Sequence, residues 1–321
     1  MARALFYVGE GRAELRAAPL APRGADDVRV RTLYSLISRG TERLVFEGRV
    51  PDSERAVMRA PMQTGDFPFP VKYGYCAVGQ VEDGPPDLIG CHVFALHPHQ
   101  DMFIAPRAVV ALLPDGVPPH RAGLAANMET ALNALWDSGA GPGDRIAVFG
   151  AGAVGLLIAW LASVLPGAEV MLIDPDETRR PTAAALGIAF SQEPDGPRDC
   201  DIVFHASASE AGLAAAIAAC GFEGRIVEAS WYGARHVAIP LGGAFHARRL
   251  QIISTQVGHV SAQRRPRWTH RRRLDTALAL LRDARLDALL TERVAFAELG
   301  AAMPRLLAPD APGVATLVVY S

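Results

Sequence analysis

Residues 71–79 read VKYGYCAVG and set two phenols, a thiol and the only lysine of the chain among small residues. Tyr75 and Cys76 precede an apolar run with the pattern of a buried strand. A tyrosine in such a place has two readings: a hydroxyl that donates to a reacting oxygen, or a ring that fills space. The charge of Lys72 would lower the phenol pKa, but positions 72 and 75 point to opposite faces of a regular strand.

A second chemical pattern lies in VFGAGAVG, where Gly150, Gly152 and Gly155 stand in G-x-G-x-x-G spacing with Val154 between them. That spacing alone is weak. Here it follows a short apolar strand, RIAV, and opens a helix, which is the context a dinucleotide turn needs. The first glycine makes the turn, the second lets a pyrophosphate approach the backbone, and the third lets helix and strand pack closely. The helix N-terminus then offers unpaired N–H groups to the phosphates. EVMLIDPDETRR ends its strand at Asp174, about twenty residues beyond the last glycine, where the fingerprint places an acidic residue. A carboxylate there accepts from the adenine-ribose hydroxyls and repels a 2′-phosphate, so NAD(H) is expected over NADP(H). Arg179 and Arg180 pull the other way, because an arginine near that position can serve a phosphate.

Three further groups carry polar side chains. His97 and His99, in HPHQD, read as polar loop residues; a metal site using Cys76, His97 and Glu129 is the alternative. Glu129 and Asn133 lie one helical turn apart on one face, either lining a substrate pocket or making a buried structural hydrogen bond. RRPRWTHRRR (264–273) reads as a solvated basic face or as an anion clamp for a carboxylate or phosphate on a small-molecule substrate.

The elements that must hold these groups change texture along the chain. RALFYVG and LRAAPL form a hairpin pattern, DDVRVRTLYSLIS alternates at period two, and CAVGQVED, LIGCHVFAL and MFIAPRAVVALLP add short strands. TERLVFEG and PDSERAVMRA have the pattern of short helices. Helical spacing of apolar residues covers 118–139, and from there strand and helix alternate, which predicts a doubly wound parallel sheet. The tail gives a basic helix, a strand, a short helix and a last strand.

Composition narrows the class. With 321 residues, half of them hydrophobic, and a net charge of −2, the chain has material for one or two cores and no global attraction to nucleic acid or anionic membrane. Four well-separated cysteines give neither a zinc knuckle nor a disulfide framework. The N-terminus has no signal-peptide pattern and no apolar run is long enough to span a bilayer, so a cytoplasmic protein is expected.

The order of these segments resembles the medium-chain dehydrogenase/reductase superfamily over nearly the whole chain. SLISRGTE (35–42) is similar to the segment carrying a zinc ligand and then a polar relay residue. YGYCAVGQV (73–81) is similar to the Gly-His-Glu-x-x-Gly strand, and GPGDRIAVFGAGAVGLL to the linker and nucleotide turn. SRGTE and the short length look nearest a branch that includes the bacteriochlorophyllide dehydrogenase of chlorophyll synthesis. The resemblance implies an α/β protein with a GroES-like β-rich catalytic domain, 1–127 plus 258–321, and a Rossmann cofactor domain, 128–257. It also implies a cleft between them for nicotinamide and substrate.

The resemblance further implies that the usual zinc ligands are gone. Ser38 stands at the cysteine position, Tyr75 at the histidine, Cys76 at the glutamate, and about Ala126 at the third ligand. Hydroxyls are poor zinc ligands beside thiolate and imidazole, so no metal is expected. Tyr75 is then the first candidate donor, Thr41 matches the relay position, and Glu42 follows it to orient the relay or serve structurally. Ser38, Cys76, Glu129 and Asn133 would line the substrate pocket, and Arg39 matches a position that reaches the cofactor pyrophosphate. A homodimer is expected through QIISTQV (251–257), an apolar edge strand. The activity expected is zinc-independent hydride transfer between NAD(H) and an alcohol or carbonyl. An enoyl- or quinone-type NADPH reductase and a non-catalytic nucleotide-binding protein are the alternatives.

Overall fold

The computed structural model describes residues 1–321 and separates into two compact units, Met1–Ala126 with Leu278–Ser321, and Asn127–Ala277. Residues 258–277 therefore go with the second unit, against the expectation that the return segment starts at 258. The reason is local. Arg273, in the helix His270–Leu280, is buried against Glu129 and Asn133 and ties that helix to the unit that holds them.

The first unit is built on two sheets. The hairpin of Arg3–Gly9 and Arg12–Ala17 continues into the short strands Val71–Lys72 and Thr64–Gly65. The larger sheet is centred on Asp27–Ile37, which pairs antiparallel with Ala77–Asp83, Met102–Pro106 and Thr316–Val319. Burial alternates along its first half, so Val28 and Val30 turn inward onto Val81, Val93 and Phe103, as a half-buried strand requires. The helix expected within TERLVFEG runs over Arg39–Phe46, while PDSERAVMRA gives only a 3₁₀ turn at Asp52–Glu54. Tyr73–Cys76 lie outside any strand, so the opposite-faces argument for Lys72 and Tyr75 does not apply; Lys72 donates to Gln100 at 2.8 Å.

In the second unit six parallel strands lie in the spatial order Ala189–Ser191, Glu169–Ile173, Arg145–Phe149, Cys200–His205, Cys220–Glu228 and Gln251–Ser254. In chain order this is 3-2-1-4-5-6, the doubly wound Rossmann arrangement. Its strands are apolar runs because both faces are covered. The helix Ala153–Ser163 is buried from Gly155 to Ala162, which explains the lack of an amphipathic pattern there. No helix is long and apolar enough to cross a membrane.

Candidate functional site

Ser38 precedes the first helical residue of Arg39–Phe46, a position where a serine usually caps its own helix. Its side chain makes no cap bond. Instead Ser38 Oγ accepts the Tyr75 hydroxyl at 2.6 Å, and the Thr41 side chain lies close enough to the same phenol to act against its upward shift. The cap is supplied from within, as Glu42 Oε1 accepts the Ser38 N–H at 2.7 Å. Ser38, Thr41 and Tyr75 thus form one hydroxyl cluster, with the Cys76 thiol fully buried beside it. Tyr75 itself is half-buried.

Behind the cluster is a closed polar network. Glu42 Oε2 accepts from the Tyr7 hydroxyl at 2.6 Å and bonds His99 Nε2 at 3.0 Å. His99 Nδ1 lies 2.7 Å from Ser35 Oγ, which lies 2.9 Å from the Tyr320 hydroxyl. Burial would raise the Glu42 carboxyl, but the His99 charge and the bonds from His99, Tyr7 and Ser38 outweigh it and hold the carboxyl below its ordinary value. Burial, and then Glu42, push the Tyr7 phenol well up. Burial, and then Cys76, raise Tyr75, so it remains a protonated donor through neutral pH. Gly74, at φ +117°, admits the His99 ring: a Cβ there would meet His99 Cδ2 at 2.8 Å.

The second unit carries the nucleotide turn. Gly150 has φ +110°, and a Cβ on it would meet Ser207 N at 2.7 Å. A Cβ on Gly155 would stand 1.8 Å from Gly150 O, so only glycine lets the helix approach the turn. Gly152 faces open space, with nothing within 4 Å of an added Cβ, at the start of Ala153–Ser163. This backbone leaves room for a pyrophosphate against the helix N-terminus. Val154 lies in the first turn of that helix. Asp174 follows the next strand and accepts from Ala151 N at 2.7 Å and Asp176 N at 2.9 Å, which fixes its carboxylate beside the turn. Arg179 pairs with Asp176 at 3.0 Å and Arg180 with Glu177. The residues fit a dinucleotide.

No family model matches the chain. It is 30% identical over 156 residues to an uncharacterized zinc-type alcohol dehydrogenase-like protein of Haemophilus influenzae, a match covering 45% of each chain. The chain thus spans less than half the length of that curated relative. A structure described as a zinc-binding dehydrogenase of Sinorhizobium meliloti bound to NADP superposes with a TM-score of 0.79 at 18% identity, covering 99% of both chains. The 2R,3R-butanediol dehydrogenase of Bacillus subtilis gives 0.78 at 16% identity, again over 99% of both. The chain has the medium-chain dehydrogenase/reductase fold. The superfamily resemblance in the sequence stands at that level, while nothing here selects a branch within it.

This dehydrogenase fold implies a catalytic zinc, and the residues present do not fit one. Ser38 and Tyr75 bond each other, Ala126 offers no donor, and no group of three or more His, Cys, Asp or Glu side chains is arranged to hold a metal. The alternative trio fails as well. Glu129 is bonded to Arg273, and His97 is 3% exposed, stacked on Phe103 at 4.0 Å with Nδ1 on Pro98 O. Burial lowers His97 to about 3. Both histidines of HPHQD are therefore buried residues, correcting their reading as polar loop residues: the loop is covered, and each ring has a partner.

Other positions are corrected too. Arg39 does not extend toward a phosphate; its guanidinium donates to the carbonyls of Ala311, Pro312 and Gly313 at 2.8–3.1 Å. Glu129 and Asn133 do not line an open pocket. Arg273 bonds Glu129 at 3.0 Å and Asn133 at 2.7 Å, all three less than 5% exposed, so the structural alternative holds. The basic run is likewise divided. Arg264 lies over the Trp136 ring, Arg272 over Trp268, and Arg271 pairs with Asp275, which leaves no convergent clamp.

Sequence reasoning missed the His99–Glu42 network and a second cluster, His205, Ser207, Glu228 and Tyr232, at the ends of two Rossmann strands. The signal for the second was present. DIVFH and RIVE are apolar strands ending in an ionisable residue, and ligands of such sheets bind outside the carboxyl ends of the strands.

Proposed function

We propose that the chain is a zinc-independent oxidoreductase that moves a hydride between NAD(H) and a small alcohol or carbonyl substrate. The observation that carries this reading is the Tyr75 phenol, bonded to Ser38 and beside Thr41, at positions where the superfamily resemblance places metal ligands and a relay. A nicotinamide nucleotide, when bound, supplies the hydride. Gly150, Gly152, Val154 and Gly155 would hold its phosphates, and Asp174 its adenine ribose. The Tyr75 hydroxyl, turned from Ser38 Oγ to the carbonyl oxygen, donates its proton there as charge develops, and a proton from solvent, passed through the Ser38 or Thr41 hydroxyl, restores the phenol. Glu42 touches no reacting atom in this scheme; it anchors Ser38 from the buried side.

Asp174 supports NAD(H), as does the pairing of Arg179 and Arg180 with neighbouring carboxylates. The second reading, an NADPH-dependent enoyl or quinone reductase, draws on the NADP carried by the Sinorhizobium structure. The proposal extends to a homodimer, since Gln251–Ser254 is an edge strand of the six-stranded sheet.

The test measures metal content and then turnover with NADH and NADPH on ketones and enones in strong chelator. Reduction of a ketone with NADH by metal-free protein is the expected result. One tightly held zinc per chain, with activity lost on its removal, sinks the proposal. Reduction of enones alone, with NADPH, selects the second reading.

A further inference from the structure

Strand Cys200–His205 is apolar at Ile202, Val203 and Phe204 and then places a fully buried imidazole at its end. A buried ring nitrogen needs a partner, and both nitrogens of His205 have one. Nδ1 lies 2.8 Å from Glu228 Oε2 and Nε2 lies 2.7 Å from Ser207 Oγ. The Tyr232 hydroxyl donates to the same Glu228 oxygen at 3.1 Å; its distance to Nδ1 is longer, 3.3 Å, and Ser230 Oγ stands at 3.4 Å.

The donor directions follow from this arrangement. An ionised carboxylate only accepts, so Nδ1 carries the proton toward Glu228. In the neutral imidazole Nε2 is then the lone-pair nitrogen, and the Ser207 hydroxyl donates to it. On the other side, Ser209 Oγ accepts the Gly212 N–H at 3.0 Å and lies 3.0 Å from Ser207 Oγ, with its own proton free to point there, while the Ser209 N–H reaches the same Ser207 oxygen only at a long 3.4 Å, a weak bond that a ligand hydroxyl can displace. The Ser207 proton is therefore committed inward, and the oxygen can offer an incoming ligand only a lone pair.

Ser207 is exposed and adjoins the nucleotide turn. Its N would stand 2.7 Å from a Cβ on Gly150, and the Ala206 N–H donates to Phe149 O at 2.8 Å. This is the switch point between Arg145–Phe149 and Cys200–His205, where the strand order reverses.

We propose that Ser207 is a nucleotide-binding residue fixed as a hydrogen-bond acceptor by His205 and Glu228, and that it takes a ribose hydroxyl of the dinucleotide, not a phosphate oxygen. A phosphate oxygen has no proton to give, whereas a ribose hydroxyl does. His205 and Glu228 are positioning residues that act through Ser207. The proposal rests on the dinucleotide reading above.

Fluorescence titration of the full chain with NADH tests it, with circular dichroism to check folding. Ser207→Ala should weaken binding about tenfold, the loss of one hydrogen bond, and Ser207→Thr should restore most of it. His205→Phe should weaken binding about threefold by leaving the hydroxyl unheld, and the double variant should be no weaker than Ser207→Ala alone. Tighter binding in His205→Phe overturns the proposal, because a freed hydroxyl gains only against a phosphate oxygen. Unchanged binding in Ser207→Ala overturns it equally. Should His205→Phe not fold, the Ala and Thr pair still decides. A wild-type protein that does not bind NADH removes the dinucleotide reading itself, and this proposal with it, before any variant is compared.

Discussion

The hydroxyl cluster and the nucleotide turn are built by opposite means. At the turn the work is done by backbone. Gly150 and Gly155 are required because a Cβ would strike main-chain atoms, and Gly152 because the space beside it must stay open. At the cluster the main chain only presents Ser38, Thr41 and Tyr75, and their side chains carry the chemistry. A site made of side chains can be rewritten one residue at a time. A site made of backbone tolerates no replacement without moving the strand and helix that frame it.

The sharpest break of this contrast is Gly155→Ala. Its Cβ would overlap a carbonyl oxygen in a packed region, so NADH binding should vanish and stability should fall by roughly 1–3 kcal/mol. A variant that binds NADH normally in a fluorescence titration would show that the turn is not backbone-limited.

Glu42→Gln comes next. It leaves His99 and Tyr7 buried with an imperfect partner, at a cost of about 3–5 kcal/mol, typical of a broken buried pair. The native Glu42 carboxyl is lowered. Its stabilisation is therefore complete above the unfolded value near 4.5 and is lost as pH falls through the native value. Glu129 has the opposite sign: burial raises it despite Arg273, so acid protonates it without that loss. Denaturant melts from pH 7 to 3 should show a steep acid limb in the wild type and a flatter one in Glu42→Gln. Equal slopes would contradict the assignment.

Within the cluster, Tyr75→Phe should lower kcat about a hundredfold with NADH binding unchanged, and Thr41→Val about tenfold. Normal turnover by Tyr75→Phe, with Thr41→Val inactive, would make the tyrosine filler and the threonine the donor. An effect of the same size as at Thr41 is expected at Asp174, on cofactor choice alone. Asp174→Ser should shift the NAD(H) to NADP(H) preference about tenfold, since one carboxylate is exchanged and the turn is kept. Preference for NADP(H) in the wild type would refute the role of Asp174.

The same contrast explains what could be read in advance. Glycine spacing, a strand before it and an acid after it announce a backbone site, because each glycine answers a local steric demand. Strand alternation in Asp27–Ile37 and the alternation of strand and helix in the second unit were legible for the same reason: periodicity is local. The partners of Glu42 were not. Tyr7, Ser35, His99 and Tyr320 come from four distant segments that only the closed first unit brings together. Arg39 and Arg273 misled because a sequence shows an arginine's charge and not the carbonyls or carboxylate that already hold it. Glu228 and His205 were visible as polar strand ends, but their pairing depends on two adjacent parallel strands being in register.

Strand Thr316–Val319 lies between Asp27–Ile37 and Glu292–Ala295, and Tyr320 beyond it closes the network through Ser35. During synthesis the ribosome delivers the second unit whole before this strand emerges, while the first unit's central strand waits without its partner at Tyr34–Ile37. A contiguous Rossmann unit can form before Thr316–Tyr320 is made, and the hydroxyl cluster gains its full buried support only after that segment is in place. A chain stalled before residue 316 should expose Leu36 and the Ser35 hydroxyl to chaperones, and should be protease-sensitive in its first unit alone.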